Sequence, residues 1–185
     1  QDEQYNVVLK RYYVDDKYDF SRFDCGEKSF NEFLTSGKID RELEMKITIP
    51  YILLAIRDGE EPIVMGYFTL ASSCLEKSLY PVSNKQRKKF PYHTVPMVII
   101  GALAIDKRFQ GQGAGKKLLG FAIKRAYLNS KDVACLALYL HAFNDKAADF
   151  YRRCGWTELD KEPNSFVYPL KQYEEYLRDI GRKRA

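Results

Sequence analysis

The chain has 185 residues, 45% of them hydrophobic and 14% aromatic, which suits one domain with a sizeable core and excludes a disordered segment. The 30 basic and 25 acidic residues leave a net charge of +5, a modest excess whose distribution matters more than its sum. No apolar run reaches membrane-spanning length and no charged-then-apolar secretion pattern opens the sequence, so a soluble cytoplasmic protein is expected. The chain begins at Gln1 without Met, and a short preceding segment is expected.

Tyr5 to Val14 is predicted as a strand from its aromatic and β-branched content. Phe20 to Gly26 reads as a loop. Glu27 to Leu34 is predicted as a short helix, with Phe30, Phe33 and Leu34 at helical spacing, and Lys38 to Lys46 as a second, charged one. Pro50 to Arg57 and Ile63 to Ser72 are predicted strands joined across an Asp58-Gly59 hairpin turn. From Leu75 to Pro96 the periodicity lapses, and Pro81, Pro91 and Pro96 mark a long connection of the kind that often carries function. Val98 to Ile105 is predicted as a buried central strand, and its Gly101 is compatible with a bulge or a close backbone approach. Gly113 to Leu128 follows as a helix with Leu118, Leu119, Ala122, Ile123 and Ala126 facing inward. Ala134 to Ala142, Asp145 to Arg153 and Ser165 to Leu170 make a strand, a helix and a strand, and Tyr173 to Ile180 a short final helix. This order fits a mixed α/β sheet in a single domain, 1–185, without repeats or linker.

The turn between the central strand and the next helix reads Arg108-Phe109-Gln110-Gly111-Gln112-Gly113-Ala114-Gly115-Lys116-Lys117. A strand, a glycine-rich turn and a helix N-terminus make an anion site, because the first N–H groups of a helix lack internal partners and its dipole is positive there. A Walker A loop fails: with Gly115-Lys116 as the Gly-Lys pair, Gln110 stands where the earlier glycine belongs and Lys117 where Ser or Thr belongs. The G-x-G-x-x-G dinucleotide fingerprint fails too, since the glycines fall at 111, 113 and 115. The cysteines Cys25, Cys74, Cys135 and Cys154 form no C-x-x-C pair, and only His93 and His141 could supplement them. Zinc is therefore not expected, and buried free thiols are. The dense Lys85-Gln86-Arg87-Lys88-Lys89 run and the closing Arg182-Lys183-Arg184 are solvated faces or a phosphate-backbone footprint.

Gln110-x-x-Gly113-x-Gly115 resembles the acetyl-CoA pyrophosphate loop of the GNAT N-acetyltransferase superfamily. Asn144-x-x-Ala147-x-x-Phe150-Tyr151-x-x-x-Gly155-Trp156 is similar to the second half of that family's cofactor site. The resemblance implies a GNAT fold: a mixed, mostly antiparallel central sheet flanked by helices, with a V-shaped splay between the two central strands. It also implies acetyl transfer from acetyl-CoA to an amine. Pyrophosphate would be held by Gln110, Gly111, Gln112, Gly113, Ala114, Gly115 and Lys116, the oxyanion by backbone N–H groups at Leu103, Ala104 and Ile105, and the cofactor arm by Asn144. Tyr151 would give the departing thiolate its proton. Unperturbed phenol and thiol pKa values of about 10 and 8.5 suit that exchange. His141 is a weaker candidate for substrate contact, and nothing singles out Glu42 or Glu44 as a base.

Tyr18 to Glu27 with Phe30-Asn31-Glu32-Phe33-Leu34 resembles the F-x-C-G…L-N-x-F-L opening of AtaT/TacT-like toxins of type II toxin–antitoxin modules, and Gly66-Tyr67-Phe68-Thr69-Leu70 resembles their G-Y-Y-T-L strand. Such toxins acetylate the α-amine of an aminoacyl-tRNA. This implies tRNA contacts at Lys85, Arg87, Lys88 and Lys89, a cognate antitoxin of ribbon-helix-helix type and a homodimer. One departure stands at the central strand: Gly101-Ala102-Leu103-Ala104-Ile105-Asp106 has alanine where relatives commonly carry arginine, as a detoxifying substitution would. The alternatives are a GNAT enzyme for a small amine or a protein N-terminus, and a non-catalytic nucleic-acid-binding regulator.

Overall fold

The structure, a computed structural model, describes residues 5–184 and, for Arg184, the backbone alone. Of the predicted basic tail, the Arg184 side chain therefore lies outside the described residues. The element order is β1 (Asn6–Arg11), α1 (Lys28–Thr35), α2 (Lys38–Glu44), β2 (Ile49–Ile56), β3 (Ile63–Glu76), α3 (Asn84–Arg87), β4 (Thr94–Ile105), a 3-10 turn (Lys107–Phe109), α4 (Ala114–Asn129), β5 (Ala137–His141), α5 (Asp145–Arg153), β6 (Thr157–Leu159), β7 (Glu162–Pro169) and α6 (Leu170–Arg184). The strands form one sheet in the order β1-β2-β3-β4-β5-β7-β6. The β1–β2, β2–β3, β5–β7 and β6–β7 ladders are antiparallel, and β4–β5 is parallel. That parallel ladder has three residue pairs, Met97 to Ile99 against Ala137 to Tyr139, although β4 runs on to Ile105 and β5 to His141. Early loss of pairing is what a splay of two central strands requires.

The chain forms two compact units. One comprises the residues up to Ala71 with Gly101–Ala122, the other Ser72–Ile100 with the residues from Ile123 onward. In the first unit Ile52, Leu54, Val64 and Tyr67 join one cluster with Phe33, Leu34 and Ile39 of α1 and α2, Val64 and Tyr67 sharing a face because the β2–β3 register shifts between Leu53 and Leu54. Phe33 stacks on Tyr67 with ring centroids 5.3 Å apart, and the Tyr67 hydroxyl donates to the Phe30 carbonyl at 2.8 Å. In the second unit Val95, Met97, Ala137, Tyr139 and Val167 pack with Leu75 and Tyr80.

Several elements differ from expectation. The strand Ile63–Glu76 outlasts its predicted end because Ser72, Cys74 and Glu76 are exposed in turn, a polar face without an apolar signal. Residues 84–87 form one helical turn inside the expected connection, closed by a capping box between Ser83 and Gln86. Thr157–Leu159 adds an unpredicted three-residue strand, and the final helix starts at Leu170 and runs well past Ile180. Among the described residues no cysteine pair forms a disulfide, and none of the cysteines is fully buried: Cys74 is exposed on β3, and Cys25, Cys135 and Cys154 are half-buried.

Candidate active site

In the first unit β4 delivers the chain into the glycine-rich turn. Asp106, 1% exposed, caps the 3-10 turn by accepting the Arg108 N–H. The Arg108 guanidinium folds back on the same carboxylate in a bidentate pair at 2.8 and 2.9 Å. Burial pushes the Asp106 carboxyl up, but the bonds from Arg108 and the Asp24 N–H outweigh it and hold the group below its usual range. Gln110 spends its side-chain amide inside the protein, donating to the Ile105 carbonyl at 2.7 Å and the Cys25 carbonyl at 3.0 Å. It is a strut under the turn, and its own backbone N–H is taken by the Lys107 carbonyl at 3.3 Å.

Beyond Gln110 the turn opens. Gly111 and Gly113 have φ of +75° and +81°, so the left-handed backbone requires glycine there, while space around both is open. The α4 helix starts at Ala114, and the Lys117 N–H to Gly113 carbonyl bond begins its ladder. The N–H groups of Ala114, Gly115 and Lys116 thus precede any helical acceptor, and the Lys116 side chain is exposed beside them. A cavity of about 540 Å³ adjoins the turn, with Val7, Leu53, Ile63 and Met65 on its floor and Arg108 and Lys117 at its rim. This donor set fits an anionic ester of the pyrophosphate kind.

Leu103, Ala104 and Ile105 close β4, with Ala104 and Ile105 buried and Leu103 half-buried. The close approach expected at Gly101 is to a side chain: an added Cβ would stand 2.9 Å from Thr69 Oγ1. The same Oγ1 accepts the Ala102 N–H at 3.1 Å. Ala102 is half-buried against the cluster around Tyr67.

The second unit carries Asn144, Tyr151 and the basic run. Asn144 is the N-cap of α5, and its side-chain oxygen accepts the Ala147 N–H at 2.9 Å. Tyr151 lies on the buried face of α5 against Trp156 and Phe166, at 5.9 and 5.8 Å between centroids. Burial, with the Cys154 thiol second, raises its phenol above the ordinary value, so it stays protonated at neutral pH. Trp156 is 4% exposed, and its indole N–H meets no acceptor among the described residues. His141 is exposed at the end of β5. Its Nε2 lies 2.9 Å from the Tyr139 hydroxyl and its Nδ1 2.8 Å from Ser165 Oγ, so both ring nitrogens are engaged.

The basic run is organised around one of its own members. Arg87 donates from Nε to the Lys77 carbonyl, from one terminal nitrogen to Asn84 Oδ1, and from the other to the carbonyls of Tyr80 and Val82. It holds the connection together, while Lys85, Lys88 and Lys89 are exposed. A cavity of about 320 Å³ lined by Lys77, Asn84, Arg87 and Lys88 opens on this turn. Sequence reasoning missed the structural use of Arg87 and Gln110, and also Lys77, which no motif marks.

A family profile described as an acetyltransferase (GNAT) domain matches residues 53–158. The chain belongs to the GNAT acetyltransferases. Its relatives include a tRNA-acetylating toxin of Mycobacterium tuberculosis (strain ATCC 25618 / H37Rv), 28% identical over 166 residues, covering 90% of this chain and 95% of the toxin. Among solved structures, a Tyr-to-Phe mutant of KacT is 36% identical with a TM-score of 0.86, covering 94% of this chain and 99% of its own. AtaT complexed with acetyl-methionyl-tRNAfMet is 36% identical with a TM-score of 0.84, covering 93% and 99%. A Tyr-to-Phe mutant of AtaT bound to the C-terminus of the antitoxin AtaR and acetyl-CoA is 32% identical with a TM-score of 0.76, covering 92% and 98%. Among the described residues no helix is long and apolar enough to cross a membrane.

Proposed function

We propose that this chain transfers acetyl from acetyl-CoA to the α-amine of an aminoacyl-tRNA and so blocks translation, as the toxin of a toxin–antitoxin module. The observation that carries this is the match to AtaT complexed with acetyl-methionyl-tRNAfMet, at 36% identity over 93% of the chain. The anion-ready turn after β4 supports it.

Acetyl-CoA supplies the activated acyl group. The N–H groups from Gly111 to Lys116 receive its pyrophosphate, with Gln110 fixing the turn from below. Backbone N–H groups at Leu103, Ala104 and Ile105 stabilise the oxyanion formed when the amine attacks. The C–N bond forms, the C–S bond breaks, the thiolate takes the Tyr151 hydroxyl proton, and the proton lost by the amine returns through water to the Tyr151 phenolate. Burial keeps the Tyr151 hydroxyl protonated and makes it a weaker acid than a free phenol, so its proton moves only as the thiolate charge develops against it. Asn144 faces the cofactor arm. An α-amine has a pKa of about 8, lowered by the adjacent ester, so no strong base is needed. Lys85, Lys88 and Lys89 meet tRNA phosphates from the connection that Arg87 holds in shape.

The chain works as a single GNAT domain, as a homodimer, in the cytoplasm where charged tRNA is found. AtaT bound to the C-terminus of the antitoxin AtaR supports a cognate antitoxin, whose ribbon-helix-helix type rests on the sequence resemblance alone. The deciding experiment is transfer of labelled acetyl from acetyl-CoA to a pool of charged tRNAs, with Ala102→Arg alongside. Label on an aminoacyl-tRNA is the expected result. Thiol release on small amines with no labelled tRNA would favour the small-amine enzyme, and no turnover at all the non-catalytic regulator.

A further inference from the structure

The Asp24-Cys25-Gly26 segment and Asn31 belong to a motif that the acetyl-transfer chemistry leaves unused. In the structure this segment is bonded to the turn that follows β4. The Asp24 N–H donates to Asp106 Oδ2 at 3.1 Å, and the Lys107 N–H donates to the Asp24 carbonyl at 2.8 Å. The Lys107 ammonium reaches Asp24 Oδ2 at 2.9 Å. Gln110 Nε2 donates to the Cys25 carbonyl at 3.0 Å. Gly26 has φ of +96°, and a Cβ there would stand 3.2 Å from Lys107 Cε.

Asn31, on α1, locks this segment from the other side. Its Nδ2 donates to Asp24 Oδ1 at 2.9 Å, and its Oδ1 accepts the Cys25 N–H at 2.9 Å. Hydrogen bonds from Lys107, Asn31 and the Gly26 N–H pull the Asp24 carboxyl down to about 2, so it remains a carboxylate at every working pH. The Asp24–Lys107 ion pair is itself surface-exposed and contributes little. The ordering comes from main-chain bonds that a two-sided amide clamp holds in register.

We propose that Asn31 is a positioning residue for acetyl-CoA: it fixes Asp24 and Cys25, which brace Asp106, Lys107 and Gln110 and so set the turn whose N–H groups receive the pyrophosphate. Asn31 shares no hydrogen bond with residues 111–116; it acts through the brace. The inference rests on the reading of that turn as the acetyl-CoA loop. It gives the F-D-C-G and N-x-F-L motifs one shared task, binding the α1 end of the fold to the cofactor turn.

The test is calorimetric titration of the full chain and its Asn31→Ala variant with acetyl-CoA, beside steady-state kinetics. Loss of two clamp bonds is expected to weaken acetyl-CoA binding about five- to tenfold. The KM for acetyl-CoA should rise in step, with kcat at saturation and the KM for aminoacyl-tRNA within twofold of the natural chain. A purely structural defect would lower the active fraction, and with it kcat, leaving KM unmoved. Should Asn31→Ala fail to fold, Asn31→Asp takes its place, since it keeps the acceptor for Cys25 and sets a second carboxylate against Asp24. Natural affinity for acetyl-CoA in a folded variant would overturn the proposal. A natural chain that binds no acetyl-CoA would instead overturn the reading beneath it.

Discussion

Gly66 of β3 and Ala104 of β4 lie so close that a Cβ on Gly66 would stand 2.6 Å from the Ala104 carbonyl oxygen and equally near Ile105 Cδ1. The β-strand conformation at Gly66 is one any residue adopts, so sterics rather than φ demand glycine. Gly66→Ala must push β3 and β4 apart where Leu103 to Ile105 meet the proposed oxyanion. Overpacking of this kind costs about 1–3 kcal/mol. Urea unfolding should show that loss, and turnover should fall beyond it because the Ala104 backbone moves.

Tyr151→Phe removes the hydroxyl and keeps the ring between Trp156 and Phe166. Acetyl-CoA affinity is expected to hold within a few-fold while kcat drops about 10²–10⁴-fold, the usual worth of a positioned acid. Unchanged turnover would remove Tyr151 from the chemistry.

Arg87 and Lys88 are adjacent but should respond differently. Lys88→Ala is expected to weaken tRNA binding modestly and to lower the salt dependence by about one unit of log–log slope. Arg87→Ala releases the carbonyls of Lys77, Tyr80 and Val82, so amides from 77 to 90 should lose protection from hydrogen exchange. Equal protection in both variants would show that Arg87 is no organiser.

Alkaline pH should unfold this protein early. Burial, with the Cys135 thiol second, pushes the Tyr80 phenol up to about 12, and burial with Glu162 does the same for Tyr139. In the unfolded chain these phenols ionise near the ordinary value of about 10, so above it the unfolded state holds fewer protons and stability falls with rising pH. The denaturation midpoint should be level below pH ~10 and decline between there and pH ~12. In Tyr80→Phe the decline should be shallower.

Ala102→Arg introduces at this position the arginine that the sequence resemblance implies. The site is half-buried beside the Tyr67 cluster. The detoxifying reading is tested by induction in cells: the arginine form should arrest growth more strongly than the alanine form. Equal growth curves would exclude that explanation.

Much of the fold was legible because its signals are local. The α5 helix begins and ends as expected, since Asn144 is an N-cap residue and Gly155, with φ of +82°, sits just past its end. The inward row on α4 is buried as its spacing implied. Thr157–Leu159 was not legible, because three residues cannot display a period. The polar half of β3 was hidden for a related reason: exposed Ser72, Cys74 and Glu76 look like a loop until a partner strand pairs with them. At the site, sequence named the glycines but did not reveal the internal hydrogen bonds of Gln110 and Arg87. Spacing marks where a donor sits along the chain. It does not say whether carbonyls 80 or more residues away, like that of Cys25, will consume it.

Trp156 is the chain's only tryptophan, packed between Tyr151 and Tyr168 with an indole N–H that finds no acceptor among the described residues. An indole shielded from water and not hydrogen-bonded emits at short wavelength, and the neighbouring phenols can pass it their excitation. The protein therefore carries its single indole fluorophore on the helix-and-strand corner that holds Tyr151. Emission at a single wavelength reports that corner without any attached dye, so its response to added acetyl-CoA can be followed in a stopped-flow cell on the unmodified chain.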